Sequence, residues 1–187
     1  MERVAAAAGR IDGTFNGIGG HPKDLGYPSP STTTSFEHFM MPLQVILGST
    51  FLTSRAVVKQ LIAQGSGGSI VTLSATLSVM TAPFMAGISA TCAAIEGLTR
   101  SLAGEFGPAG VRVNCVRGNG MPETGTIQET GAGYQNLGYA IPMVLPPLGR
   151  PITVAETAAT AAYLLSDSSS GMTGQVVTVS AGAFVGL

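Results

Sequence analysis

Few side chains in this sequence could do chemistry, and they lie far apart along it. Ser74 closes the run Ser69-Ile70-Val71-Thr72-Leu73-Ser74, whose apolar and β-branched character reads as a buried strand. Its register puts the hydroxyl at the carboxyl end of a parallel strand, where ligands of open α/β sheets lie. Cys92 is a thiol that a histidine within reach could turn into a nucleophile. The two histidines are His21 and His38. His21 shares the irregular loop 21–35 with Asp24 and Tyr27, among Pro22, Pro28 and Pro30, where polar residues are ordinary. Ile88, Cys92 and Ile95 fall on one helical stripe, which makes the thiol a core residue before it is a nucleophile. A hydrolase-like chemistry would need Ser74, Cys92 or the 21–35 loop to converge at one cleft. No metal-ligand spacing is present.

The elements that would position these groups follow from periodicity. Glu2 to Ala8 reads as helix, and Ile11 to Phe15 as a short strand running into Asn16-Gly17-Ile18-Gly19-Gly20. Glycines there let another group approach the backbone, but no strong helix start follows to receive a phosphate. Ser35 is a helix cap ahead of Phe36-Glu37-His38, and Pro42 is either absorbed or separates two helices. Val45, Leu47, Phe51, Leu52, Ala56, Val57, Leu61 and Ile62 then predict a helix over 43–64, stopped by Gly65. The strand at 69–74 precedes a helix over 88–106 and a strand at 111–116. That spacing predicts a right-handed parallel βαβ unit. Residues 120–148 read as a lid-like insertion. Thr153 and Glu156 spell a capping box, and Gln175 to Val179 is a last strand. The tail 180–184 is too apolar to stay free.

Bulk properties narrow the classes. The 187 residues suffice for one substantial core. Nine basic and ten acidic residues leave a net charge of −1, which offers no field to a nucleic acid. Charged residues make up 10% of the chain and mean hydropathy is +0.38, yet no apolar run reaches the ~18 residues of a membrane span. The expectation is no membrane, with surface hidden against another copy or a partner. Two cysteines make no disulfide framework, and Ala5 to Ala8 is too short for a signal sequence, so a cytoplasmic location is expected.

Several blocks resemble the short-chain dehydrogenase/reductase family. They are Gly9-Arg10-Ile11-Asp12 with Asn16-Gly17-Ile18-Gly19, Glu96-Gly97-Leu98-Thr99-Arg100-Ser101-Leu102-Ala103, and Gly110-Val111-Arg112-Val113-Asn114-Cys115-Val116. Gly149-Arg150-Pro151 and the run from Asp167 to Val177 complete the likeness. The resemblance implies a truncated Rossmann-like domain over 1–187, a three-layer α/β/α fold whose mostly parallel sheet keeps family strands 4-5-6-7. It also locates the family's catalytic positions. The tyrosine position is Ile88, the lysine position Cys92, the serine position Ala75 and the asparagine position Ile46. None can donate a proton or steady an oxyanion, so classical hydride transfer to a carbonyl is not expected. Asn16, Gly17, Gly19 and Thr124 are what remains of the family's cofactor-binding set. The family's proline–glycine pair is Gly118-Asn119. No cofactor is expected for this chain alone, with NAD or NADP entering if a partner completes the site. The likeness further implies a homo-oligomer built through helices 43–64 and 88–106 or the Ile11–Phe15 edge, and a small-molecule ligand or an assembly role.

Overall fold

The computed structural model describes residues 2–17, 19–20, 23–142 and 144–184. After a short helix α1 (Glu2–Ala8), four strands form one parallel sheet in the order β1 (Gly13–Asn16), β2 (Gly68–Ala75), β3 (Val111–Gly118) and β4 (Val176–Val179). Parallel neighbours need crossovers, and helices supply them. Helices α2 (Phe36–Pro42) and α3 (Gly48–Gln64) join β1 to β2, and α4 (Ala86–Phe106) joins β2 to β3. Between β3 and β4 lie α5 (Gly125–Asn136) and α6 (Val154–Leu165).

Both sheet faces are covered, which is why β2 and β3 read as continuous apolar runs. Alternate residues serve opposite layers. Ile70 and Val113 pack with Val57, Val58 and Leu61 of α3 and Leu102 of α4, whereas Val71 and Val116 pack with Ala161 and Leu164 of α6. Each such side chain contributes about 1.5–3 kcal/mol on burial. The three-layer α/β/α fold with a parallel sheet is the one expected from the sequence.

Most boundaries shift by one or two residues from the sequence reading, and two of the differences have a clear local reason. Ile11 does not join β1. The Gln64 carboxamide takes both of its backbone groups, with Oε1 accepting from Ile11 N at 3.1 Å and Nε2 donating to Ile11 O at 2.8 Å. The helix expected over 43–64 is the second part of a 29-residue helical run, Phe36–Gln64. Ser35 caps that run, its Oγ accepting from His38 N at 3.2 Å. Pro42 remains inside, and the ladder widens into a π turn over Leu43–Leu47 before regular helix resumes. By length and composition this run could cross a membrane, which its interrupting polar residues concealed. It packs against β1 and β2, with Thr50, Ser54, Val57, Val58 and Leu61 buried and Leu52 and Ile62 left exposed.

The far layer is fastened by a strand side chain. Arg112 Nη1 donates to Leu164 O, Ser169 O and Ser169 Oγ at 3.1, 3.0 and 2.9 Å, and Nη2 donates to Ser166 O at 3.1 Å. Leu164 O lies in the last turn of α6, where carbonyls run out of helical partners, and Ser166 O and Ser169 O, which also accept from Ser169 N and Met172 N, lie just beyond it. Ser69 Oγ adds a bond to Leu164 O at 2.8 Å. An Arg112→Met substitution keeps the stem's bulk and removes the charge-assisted bonds of the guanidinium, while each carbonyl keeps another donor. It should lower stability by about 2 kcal/mol, read as an earlier urea midpoint at unchanged slope.

Candidate functional site

The carboxyl ends of β1, β2 and β3 open onto a cavity of about 680 Å³, a size ordinary for a small-molecule site. Ile46, Ala75, Ile88 and Cys92, drawn from three separate segments, all line it, beside Ser74 and the glycine turn at Gly17 and Gly19. The fold therefore gathers the positions singled out in the sequence. Loop 23–35 and α5 close one side. Leu25, Tyr27, Met85 and Tyr134 form a buried apolar cluster next to the cavity, with Tyr134 Oη donating to Pro83 O at 2.6 Å. From the opposite terminus Phe184 reaches the lining, so the apolar tail is packed.

Asn16 does not face the ligand space. Its Nδ2 donates to Ser54 Oγ at 2.8 Å and Thr50 O at 3.4 Å, tying the end of β1 to α3, and the residue is 2% exposed. Thr124 lines the cavity but caps α5, donating to Met121 O at 2.8 Å and accepting from Ile127 N. His21 lies outside the described residues. The ring of His38 packs over Gly26, and His38 is not among the cavity residues. Among the described residues, no histidine reaches Cys92.

The chemistry of Ser74 is settled by its neighbours. Its hydroxyl donates to Glu96 Oε1 at 2.7 Å, as does Ser78 Oγ at 2.6 Å. Arg117 grips the same carboxylate with both arms of its fork, Nε to Oε1 at 2.8 Å and Nη2 to Oε2 at 2.7 Å. The paired side chains are 7% and 6% exposed. Burial alone would raise the Glu96 pKa, but hydrogen bonds from Arg117, Ser78 and Ser74 outweigh it and hold the carboxyl below its ordinary value. A carboxylate held that firmly is a poor base, so Ser74 is a structural donor and not an activated nucleophile. Sequence reading missed this cluster because the partner that helical spacing offers Glu96 is Arg100, whereas the residue that grips it, Arg117, lies 21 positions away on another element. Serines at 74 and 78 and an arginine at the end of β3 were its only trace.

Cys92 is equally quiet. Burial pushes its thiol up to about 11, and the Glu96 charge adds to that against a backbone hydrogen bond at Ala75. At pH 7 that leaves roughly one thiolate in ten thousand. Cys92 thus stands as a wall residue.

The strand ends do fit the flat end of a dinucleotide. Gly19 has no atom within 4 Å of where a Cβ would stand, so its backbone is open to a close approach. Gly17, Ser74, Ala75 and Gly118 complete a shelf at three neighbouring strand ends, the usual binding place in such sheets.

Residues 1–183 match the family described as enoyl-(acyl carrier protein) reductase. The chain belongs to this family, within the short-chain dehydrogenase/reductase superfamily. A zebrafish (Danio rerio) peroxisomal 2,4-dienoyl-CoA reductase is 31% identical over 99% of this chain, which spans 59% of that relative's length. An inactive 2-(S)-hydroxypropyl-CoM dehydrogenase 2 of Xanthobacter autotrophicus is 31% identical over 95% of this chain and 76% of its own. The gluconate 5-dehydrogenase of Burkholderia cenocepacia, solved with NADP and tartrate, shares the fold at a TM-score of 0.81 and 24% identity over 97% of this chain and 68% of its own. NAD+-bound xylitol dehydrogenase superposes with a TM-score of 0.83 at 24% identity over 97% of this chain and 72% of its own. These comparisons correct the expectation that this chain alone takes no cofactor. The match to a reductase family covers the whole shelf, and the same fold carries NADP or NAD+ in other proteins.

Glu96→Gln leaves the buried Arg117 cation with a neutral partner and should cost about 3–5 kcal/mol in denaturant unfolding. Because the folded pKa of Glu96 is depressed, the stability it contributes is complete above the unfolded carboxyl value. It drains away as pH falls through the lower folded value, so the variant should lose less stability than the parent between pH 5 and pH 2. Cys92 should resist iodoacetamide at pH 7.5 in the folded protein and react on unfolding, as followed by mass spectrometry.

Proposed function

We propose that this protein binds a nicotinamide nucleotide and an apolar small molecule at one cleft, without the family's classical proton-relay chemistry. The observation that carries this reading is the wall of the 680 Å³ cavity, which Ile46, Ala75, Ile88 and Cys92 line; the family resemblance assigns these four to the positions of polar catalytic groups. A bound nicotinamide supplies or accepts a hydride. This chain's residues do the rest. Gly19 admits a ligand close to the backbone, and Ser74 and Glu96 hold the end of β2 in place. Loop 23–35 and α5 keep water from one side. Ala75 and Ile88 leave no donor where a reacting carbonyl oxygen would sit, and Cys92 brings no positive charge to a ribose. The 31%-identical relative described as inactive agrees with such a state.

Titration with NADH and NADPH, followed by nicotinamide fluorescence, tests the first half. Ketone reduction and alcohol oxidation by the same preparation test the second. Saturable nucleotide binding is expected, with turnover roughly 10²–10⁴-fold below that of an enzyme with a working acid. Failure of both nucleotides to bind, or ketone turnover near the usual enzyme median of about 10 s⁻¹, would overturn the reading.

A further inference from the structure

We propose that Asn119 is the group that recognises a carbonyl oxygen in this cleft, with Thr76 as its positioning residue. This deepens the reading of the cavity as an apolar small-molecule site and rests on it. Asn119 follows the last residue of β3 and lines the cavity, and its backbone N–H is anchored to Val179 O at 2.9 Å. Thr76 lies just past the end of β2. Its Oγ1 is 2.8 Å from Asn119 Oδ1, and since a carboxamide oxygen only accepts, the threonine hydroxyl is the donor. That bond fixes which way the amide faces. The Oδ1 side is spent on Thr76, and the Nδ2 amino group keeps its two protons for something else.

An accounting of donors singles this group out. Ser74 donates to Glu96, Thr91 to Gly87 O, Thr124 to Met121 O, Thr130 to Thr126 O and Tyr134 to Pro83 O. Thr126 is exposed, and Arg150 is exposed and tied to Glu156. The Cys92 thiol is engaged in a backbone hydrogen bond at Ala75. Asn119 Nδ2 is therefore a side-chain donor of the described, unexposed lining left with protons to give. A donor fixed in direction, in a cavity whose lining includes Ala75, Leu77 and Met121, suits one chemistry, an apolar molecule carrying a single carbonyl. Hydrogen bonds made where water is scarce discriminate strongly against ligands that lack the partner. The carbonyl would be held from the β3 side, away from Ile88, where a family acid would have approached it.

The test uses two probes of equal shape, 2-nonanone and its methylene isostere 2-methyl-1-nonene, titrated into the full chain by calorimetry. Asn119→Leu should weaken the ketone by about five- to tenfold and leave the isostere within twofold. Thr76→Val should weaken the ketone in the same sense, and Thr76→Ser should restore it. Isostere binding serves as the check that each variant is folded. Equal effects of Asn119→Leu on both probes, or none on either, would overturn the role of Asn119 while leaving the cavity reading intact. No binding of either probe to the parent protein would overturn the cavity reading and this inference with it.

Discussion

The site depends on one buried ion pair. Glu96 projects from the helix that crosses from β2 to β3, and Arg117 from the carboxyl end of β3. Their two-armed contact, with Ser74 and Ser78 on the same carboxylate, pins four segments at one point. Desolvating two charges is expensive, and such a pair holds together only when the remaining oxygen positions are also satisfied. Here they are, and no buried side-chain polar atom among the described residues lacks a partner. The geometry of the shelf at the strand ends is thus fixed by charge, whereas the body of the sheet is fixed by apolar packing.

That division explains how a scaffold can keep its cleft while changing what lines it. The sheet core, from Ile70 and Val113 to Leu61 and Leu102, makes no use of the cavity wall. Ala75 and Ile88, which line that wall, are apolar and ask for no polar partner in a region of low dielectric. Family membership and family activity are separate statements for this chain.

The fold was largely legible in the sequence because both signals it relies on are local or periodic. Strands buried on both faces announce themselves as apolar runs, and Thr153 with Glu156 forms the capping box its spacing spelled, with Thr153 Oγ1 accepting from Glu156 N and Glu156 reaching back to Thr153 N. The placement of Ile46, Ala75, Ile88 and Cys92 around one cavity was legible for the same reason, since each sits at a fixed offset in a recognisable block. What escaped were interactions between side chains remote in sequence. Gln64 captured Ile11, Arg112 captured the end of α6, and Arg117 captured Glu96. None has a periodicity to betray it. Asn119 was visible only as a residue where a glycine is usual, and its partner Thr76 lies 43 positions away.

The position of Cys92 shows how tightly these features are coupled. It precedes Glu96 by one helical turn on the same face, close enough for the carboxylate to influence its thiol. The neutral thiol adds no charge beside a carboxylate that Arg117 already balances. The positive charge next to Glu96 stands on Arg117, at the end of β3.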